Sequence, residues 1–112
     1  MIKTLPALAV IAGISALSLH AAPPESVQQN WTKHCLSCHG KDGKGKTKAG
    51  RQAKVKDLTD AKYQETFDDT KAFTVLKEGL KIDGKEAMKP FRDKLSDQEI
   101  KDLVAFVRTL KE

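Results

Sequence analysis

The sequence predicts an all-α fold built around a small core. Apolar residues recur at spacings of three and four in several short segments, residues that cap helices precede those segments, and no pair of segments alternates in the manner of adjacent strands. The 112 residues, 39% of them hydrophobic and 31% charged, suffice for one domain and are too few for two. Two cysteines exclude a disulfide-rich scaffold, and a single continuous apolar stretch excludes a multi-span membrane protein.

Residues 1–22 are predicted to be a secretory signal and not part of the fold. A lone lysine precedes fifteen uncharged, mostly apolar residues, and two alanines follow shortly after them. The stretch is shorter than the roughly 20 apolar residues of a membrane span, and its small terminal residues are typical of a signal-peptidase site. We expect cleavage after Ala21 or Ala22, which leaves residues 23–112 as the exported domain. The alternative is an uncleaved anchor that would hold the domain at the membrane surface.

Two prolines precede the first predicted helix, which Ser26 can cap. Apolar residues and cysteines then recur at spacings of four, four and three on one helix face: Val27, Trp31, Cys35 and Cys38. Residues 40–56 follow, with several glycines, seven basic residues and one acidic residue. This composition is typical of a solvated loop.

Two short helices are predicted in the middle of the chain. The first begins at residues 58–60, carries Tyr63 and ends near Phe67. The second has three candidate caps at residues 68–70 and Gly79 at its C-terminal end. Its apolar face contains Phe73, Leu76 and Leu80.

The final helix has the strongest sequence signal. Residues 81–95 before it show neither helical nor alternating periodicity and are predicted to be an ordered loop. Ser96 and Glu99 then have the spacing of a capping box, in which each side chain accepts a hydrogen bond from the backbone amide of the other residue. Apolar residues follow at helical spacing: Ile100, Leu103, Val104, Val107 and Leu110.

The stretch Cys35-Leu36-Ser37-Cys38-His39 is the motif that carries chemistry. Two thiols at this spacing can add to the two vinyl groups on one edge of a porphyrin, and the adjacent histidine can then reach the iron. The C-x-x-C-H pattern predicts covalent attachment of haem c through both cysteines. His39 would supply a neutral imidazole nitrogen to one axial position of the iron.

Two other kinds of site could use the same residues. A disulfide or thiol redox pair would use Cys35 and Cys38, but such pairs typically lie beside a βαβ unit, and helical patterns flank this one. A zinc site would need a second, separated pair of ligands, whereas His34 adjoins Cys35 directly. Both alternatives are weaker than haem attachment.

Met88 is the candidate for the other axial position. It is the sole methionine that remains once the signal is removed, and it lies 49 residues after His39. A loop methionine is often only a filler of the core, but a Gly- and Pro-containing segment between two helices can lay a thioether across the opposite haem face. Sulfur favours Fe(II), so His/Met ligation would give a fairly high reduction potential.

The order of these motifs resembles that of the small class I c-type cytochromes, the monohaem cytochrome c family. The resemblance covers nearly all of residues 25–111. It is carried by the haem motif followed by Gly40, by Met88-Lys89-Pro90-Phe91, and by Leu95-Ser96-Asp97 before the last helix. It implies the cytochrome c fold, with three to five short helices wrapped around one covalently bound haem c, and a carrier role in periplasmic respiration.

The resemblance also implies that the first and last helices cross. In that family an aromatic residue four positions before the first haem cysteine packs in the crossing, and Trp31 occupies this position; Leu103 or Phe106 would meet it. A proline after the motif commonly lends its carbonyl to the histidine in this family, but here none occurs between Pro24 and Pro90. The acceptor for the His39 ring N–H is therefore unassigned.

A bound haem would also enlarge the core of this small domain. Apolar residues in several segments are predicted to cover it: Leu36, Tyr63, Phe67, Phe73, Leu76 and Phe91. Burial of apolar surface stabilises by roughly 25 cal/mol per Å², and a domain of this size is marginal without a cofactor or another crosslink. We expect the haem-free chain to be largely unfolded.

The charge of the chain is concentrated in residues 41–56, which carry a net charge of +6. Nucleic acid is not an expected partner, because the chain is predicted to be exported and the segment has no interleaved aromatic residues for stacking on bases. Redox proteins with acidic docking surfaces are the expected partners, since complementary charge speeds their encounter. Association with a membrane is expected only if the signal is not cleaved.

These observations predict a periplasmic one-electron carrier with a single haem c. Both axial positions would be filled, so no small-molecule substrate and no enzymatic activity are expected. The alternative function is a haem enzyme or gas-binding cytochrome in which Met88 leaves the sixth iron position open. No second histidine at a suitable separation supports this alternative, because His34 adjoins the attachment motif.

Overall fold

The computed structural model describes residues 2–14 and 25–112. Residues 2–14 form no helix or strand, and their large apolar side chains are exposed. The predicted cleavage positions, Ala21 and Ala22, lie outside the described residues. Within the described ranges, no helix is both long enough and apolar enough to cross a membrane.

The described part of the chain forms six helices and one antiparallel pair of strands, so the prediction of a mainly helical fold is confirmed. Two of the six helices have only four residues. In chain order the elements are α1 (Glu25–His34), α2 (Leu36–His39), α3 (Lys48–Ala53), α4 (Ala61–Gln64), α5 (Asp69–Glu78), β1 (Leu80–Ile82), β2 (Lys85–Met88) and α6 (Asp97–Thr109).

The first helix differs from its prediction at both ends. It already includes Glu25, so Ser26 lies inside the helix and its assignment as the N-cap is wrong. Serine is also tolerated in a first turn, and a preference for capping does not fix a boundary to within one residue. Cys35 separates α1 from α2, although its amide still donates to the Trp31 carbonyl at 2.9 Å.

The predicted boundaries of the later helices are confirmed where a polar side chain caps the helix. Asp60 accepts from the Lys62 amide at the start of α4, and Asp68 accepts from the Lys71 amide at the start of α5. Ser96 and Glu99 form the complete capping box of α6. The short helix α4 ends at Gln64, three residues before its predicted end.

Residues 80–88 form a β-hairpin, so the prediction of an ordered loop without a strand pair is wrong for this segment. Ile82 pairs with Lys85 across a two-residue turn, in which Asp83 and Gly84 have φ values of 52° and 76°. Positive φ at both positions is the requirement of the type I′ turn that joins short twisted strands. The strands have only three and four residues and are mostly exposed, so no alternation of apolar and polar residues marks them.

Residues 40–56 are also more ordered than the predicted solvated loop. Helix α3 lies within them, and its N-cap Thr47 accepts a hydrogen bond from the Gly50 amide at 2.9 Å. Gly43, Gly45 and Gly50 are buried, whereas most of the lysines are exposed. The prediction that the lysines face solvent is therefore correct for most of them, whereas the prediction of a loop without a helix is wrong.

The core lies where α1 crosses α6. The rings of Trp31 and Phe106 are 5.1 Å apart, as the predicted crossing requires. Asn30 of α1 also donates to the Glu99 carboxylate of α6 at 2.9 Å. One buried apolar cluster fills the crossing and the space beside it: Val27, Trp31, Cys35, Leu58, Phe91, Leu95, Ile100 and Leu103.

Candidate haem-attachment site

Cys35 is the N-cap of α2, and Cys38 lies within this four-residue helix. The Cys35 side chain belongs to the buried core at 5% exposure, Cys38 is half-buried, and both thiols are free. Burial, together with the nearby Cys38, raises the pKa of the Cys35 thiol to about 12. A thiol redox pair depends on a lowered thiol pKa, so this environment does not favour a thiol oxidoreductase.

His39 is the last residue of α2, and its imidazole is half-buried. Burial lowers the pKa of the ring, so the imidazole is neutral at neutral pH and can bind a metal. Its Nδ1 atom is enclosed and has no hydrogen-bond partner among the described residues. The accessible part of the ring therefore lies away from Nδ1, which leaves Nε2 as the nitrogen for a metal.

Trp31 holds the backbone that follows His39. Its indole nitrogen donates to the Gly40 carbonyl at 3.2 Å, and its ring lies 5.9 Å from the His39 ring. Gly40 has φ 80° and ψ 165°, a conformation that glycine alone adopts readily. The Gly45 amide then donates to the His39 carbonyl at 2.8 Å. The aromatic residue of the helix crossing thus also fixes the turn at the end of the motif.

Helix α3 supports the motif from the other side. The Thr47 hydroxyl lies 2.7 Å from the Ser37 carbonyl and 3.0 Å from the Cys38 carbonyl, to which it can donate. A Cβ atom on Gly50 would overlap the Cys38 carbonyl oxygen. The predicted site did not include these two positioning residues, although a threonine followed by helix-forming residues is a recognisable cap signal.

Met88 ends strand β2. It pairs with Leu80 across the hairpin, and its half-buried side chain packs against the core cluster that contains Cys35. The pairing is irregular, because Leu80 faces Met88 whereas Lys81 faces Glu86. Ala87 is the extra residue of this bulge. The structure therefore brings the predicted sulfur ligand and the first haem cysteine to one apolar cluster.

A single arginine ties the elements around this cluster together. Arg108 of α6 donates to the Phe67 and Gln64 carbonyls, each at 2.7 Å, and its side chain pairs with Asp69 at 2.9 Å. Its guanidinium also lies over the Phe67 ring, 4.5 Å from the centroid. The contacts hold the segment between α4 and α5 against α6. No sequence pattern indicates this role for Arg108, because the carbonyls that it binds are distant in sequence.

The residues present fit a haem c group. Two free thiols lie at the N-cap and within the single turn of α2, a neutral imidazole follows them, and the predicted haem-covering residues other than Phe67 lie in or beside the same core. Phe67 packs against Tyr63 and Arg108 instead. Phe91 is buried in this core, and three others pack against the core while remaining partly accessible: Leu36, Tyr63 and Leu76. Phe73 has the same partly buried position. Within the described residues, no group of three or more His, Cys, Asp or Glu residues could hold a metal ion.

Comparison with known proteins identifies the family. Residues 22–107 match the family model described as cytochrome c oxidase, cbb3-type, subunit III. The chain belongs to this family of c-type cytochromes. Membership implies covalently bound haem c and a role in electron transfer.

Solved structures support the same fold. The KustC0563 c-type cytochrome is 32% identical, with a TM-score of 0.68 over 78% of this chain and 98% of its own. A point mutant of that cytochrome is likewise 32% identical, with a TM-score of 0.67 over 77% of this chain and 99% of its own. No curated protein matches the chain significantly. The resemblance inferred from the motifs is therefore confirmed at the level of family and fold.

Proposed function

We propose that this c-type cytochrome is an exported one-electron carrier with a single haem c. Cys35 and Cys38 form the thioether links, His39 is the proximal ligand and Met88 is the distal ligand. The observation that carries this proposal is the packing of Met88 against the core cluster that contains Cys35. A sulfur atom held at that cluster is suitably placed to meet a porphyrin attached through the same cysteine.

The two proposed axial ligands set the redox properties. Bound haem supplies one-electron chemistry at its iron. The buried, neutral His39 imidazole donates through nitrogen, and its enclosed Nδ1 atom has no carbonyl or carboxylate partner among the described residues. An acceptor at that atom would make the imidazole more basic. The soft Met88 sulfur favours Fe(II) and therefore a high reduction potential.

Saturated ligation also supports a carrier over an enzyme. With His39 and Met88 both bound, the iron has no open position for peroxide, oxygen or nitric oxide. The backbone of Met88 has little freedom to move. Its carbonyl lies against Gly79, and the amides of Phe91 and Arg92 donate to carbonyls at the end of α5. We therefore propose that the protein has no catalytic activity of its own.

The basic segment, residues 41–56, supports docking of an acidic redox partner in the periplasm. Its helix α3 packs directly on the attachment motif through Thr47 and Gly50, so the basic segment adjoins the Cys35–His39 motif. Among the described residues, only Lys44 of this segment forms an ion pair, with Glu112 at 3.4 Å. The other basic side chains are available to a partner. Salt screens such attraction over about 10 Å at 0.1 M ionic strength.

Absorption spectra of the holoprotein test the proposed ligands. The ferric wild type is expected to show the weak sulfur-to-iron band in the red, and Met88→Ala is expected to lose it and become high-spin. Leu80→Ala is the matched control, because Leu80 pairs with Met88 but supplies no ligand, and it is expected to keep the band. A wild-type protein without this band and with a high-spin spectrum would favour the enzyme or gas-binding alternative.

The docking proposal is tested with small charged oxidants. Oxidation of the ferrous protein by an anionic complex such as hexacyanoferrate(III) is expected to slow as the salt concentration rises. Oxidation by a cationic cobalt complex is expected to speed up over the same range, because salt screens its repulsion from the basic segment. Lys48→Glu is expected to weaken the salt dependence for the anionic complex more than Lys101→Glu, which changes an exposed lysine on α6. Equal effects of the two substitutions would contradict docking at the basic segment.

Export is tested by the mass of the mature protein. Expression in a host that matures c-type cytochromes is expected to give a periplasmic product cleaved after Ala21 or Ala22 that carries the mass of one haem. A product of full length in the membrane fraction would instead indicate an uncleaved anchor.

A further inference from the structure

Helix α5 ends at a glycine whose conformation other residues rarely adopt. Gly79 has φ 80° and ψ −179°, and its amide donates to the Val75 carbonyl at 2.8 Å. This part of conformational space is essentially reserved for glycine. Any residue with a side chain at position 79 would therefore disfavour the backbone conformation in which the chain leaves α5.

The backbone around Met88 packs directly on Gly79. A Cβ atom at residue 79 would lie 2.8 Å from the Met88 carbonyl oxygen and 2.9 Å from the Pro90 nitrogen, distances that real Cβ atoms essentially never show. The atoms in question belong to the backbone and cannot rotate away as a flexible side chain would. Residues 88–92 are called the Met88 segment below. The space at Gly79 thus sets how closely this Met88 segment approaches α5.

The residues after Met88 also complete the hydrogen bonding of α5. The last carbonyls of a helix have no partners within the helix. Here the Phe91 amide donates to the Leu76 carbonyl at 3.0 Å, and the Arg92 amide donates to the Lys77 carbonyl at 3.2 Å. Arg92 further pairs with Glu78 at 2.7 Å. The helix end and the Met88 segment therefore form one hydrogen-bonded unit.

We infer that Gly79 is a positioning residue for the Met88 ligand. The inference rests on the proposed His/Met ligation and adds the residue that fixes the distal sulfur. A methyl group at residue 79 displaces the Met88 carbonyl, and with it the Cα atom that carries the thioether. Ligand geometry must be held to within about 0.5 Å, so such a displacement weakens the sulfur–iron bond.

Displacement of the methionine by imidazole tests this inference. The Gly79→Ala and Gly84→Ala variants are compared with the wild type as ferric holoproteins, and the red absorption band is followed as imidazole is added. Gly84 is the matched control, because its φ of 76° is also positive and a Cβ atom there would meet nothing within 4 Å. Gly79→Ala is expected to bind imidazole about tenfold more tightly than the wild type, and Gly84→Ala within about twofold. Equal imidazole affinities of the two variants would overturn the inference.

A measurement on the wild type covers the case in which Gly79→Ala fails to assemble. In the reduced holoprotein, the Phe91 and Arg92 amides are expected to exchange with solvent at least about tenfold more slowly than free peptide amides. Exchange at the free-peptide rate would show that the Met88 segment is not held on α5 and would overturn the inference. Failure of the proposed ligation has a different signature, since the unmodified wild type would then lack the red band altogether.

Discussion

The substitution Gly50→Ala should destabilise the protein, although glycine-to-alanine changes inside helices usually stabilise. Gly50 lies within α3 and is buried. The added methyl group would overlap the Cys38 carbonyl oxygen and come within 2.5 Å of the Gly45 carbonyl oxygen and 2.9 Å of the Thr47 hydroxyl. Helix α3 would therefore have to move away from the attachment motif.

The expected size of this effect follows from three opposing contributions. Alanine favours the helical state over glycine by about 1 kcal/mol. Overpacking in a filled site costs about 1–3 kcal/mol, and displacement of α3 also loses the hydrogen bond of Thr47 to the motif, which contributes about 1 kcal/mol. Two of the three neighbours are backbone carbonyls that cannot rotate aside, so the cost is expected near the upper end. The free energy of unfolding should fall by about 2–3 kcal/mol.

Guanidinium unfolding of the ferric holoprotein, followed by far-ultraviolet circular dichroism, measures this loss. Gln52→Ala is the matched control, because it changes an exposed residue of the same helix and should alter stability by no more than about 0.5 kcal/mol. The haem absorption followed in the same titration reports whether the attachment motif loosens together with α3. A Gly50→Ala protein as stable as the wild type, or more stable, would refute the close packing of α3 on the motif.

Three further predictions concern the core and its cofactor. Trp31→Phe keeps an aromatic ring at the helix crossing but leaves the Gly40 carbonyl without its donor. The free energy of unfolding, measured by denaturant titration, should therefore fall by about 1–3 kcal/mol. An unchanged value would mean that this hydrogen bond contributes nothing to stability. Hydrogen bonds from the Ser96 amide and Asn30 lower the pKa of Glu99, so its ionised form stabilises the fold at neutral pH and this stabilisation is lost as the pH falls through the lowered pKa. The stability difference between the wild type and Glu99→Gln should therefore shrink below about pH 4, and a difference that is constant with pH would contradict this account. Cys35→Ala/Cys38→Ala should yield a haem-free chain without a cooperative thermal transition by circular dichroism, and a sharp native-like melt would show that the polypeptide folds without haem.

Local signals predicted the elements whose ends are fixed by residues nearby in sequence. Asp60, Asp68 and Ser96 each cap a helix through a backbone amide two or three residues away, so the sequence pattern contains both partners. The haem motif was recognisable for the same reason, since both cysteines and the histidine lie within one helical turn. The start of α1 was predicted one residue too late, because a capping residue does not fix a helix boundary to within one position.

Other features depended on contacts between distant segments. The hairpin was missed because its strands are short and exposed, although the Asp83-Gly84 pair is a turn signal that could have indicated it. The role of Arg108 was missed because its acceptors are the carbonyls of Gln64 and Phe67, more than forty residues earlier. Every residue has a backbone carbonyl, so the sequence does not show which carbonyls will accept a hydrogen bond from a distant arginine.

The sequence by itself determined the helical class, the attachment motif and the family resemblance, because each depends on residue types at short, fixed spacings. Only the tertiary structure decided that α3 braces the motif through Thr47 and Gly50, and that the Met88 segment completes the end of α5. Both depend on close approach of backbones from different parts of the chain. Glycine permits such an approach by lacking a side chain, and the sequence shows that a glycine is present but not which backbone it admits.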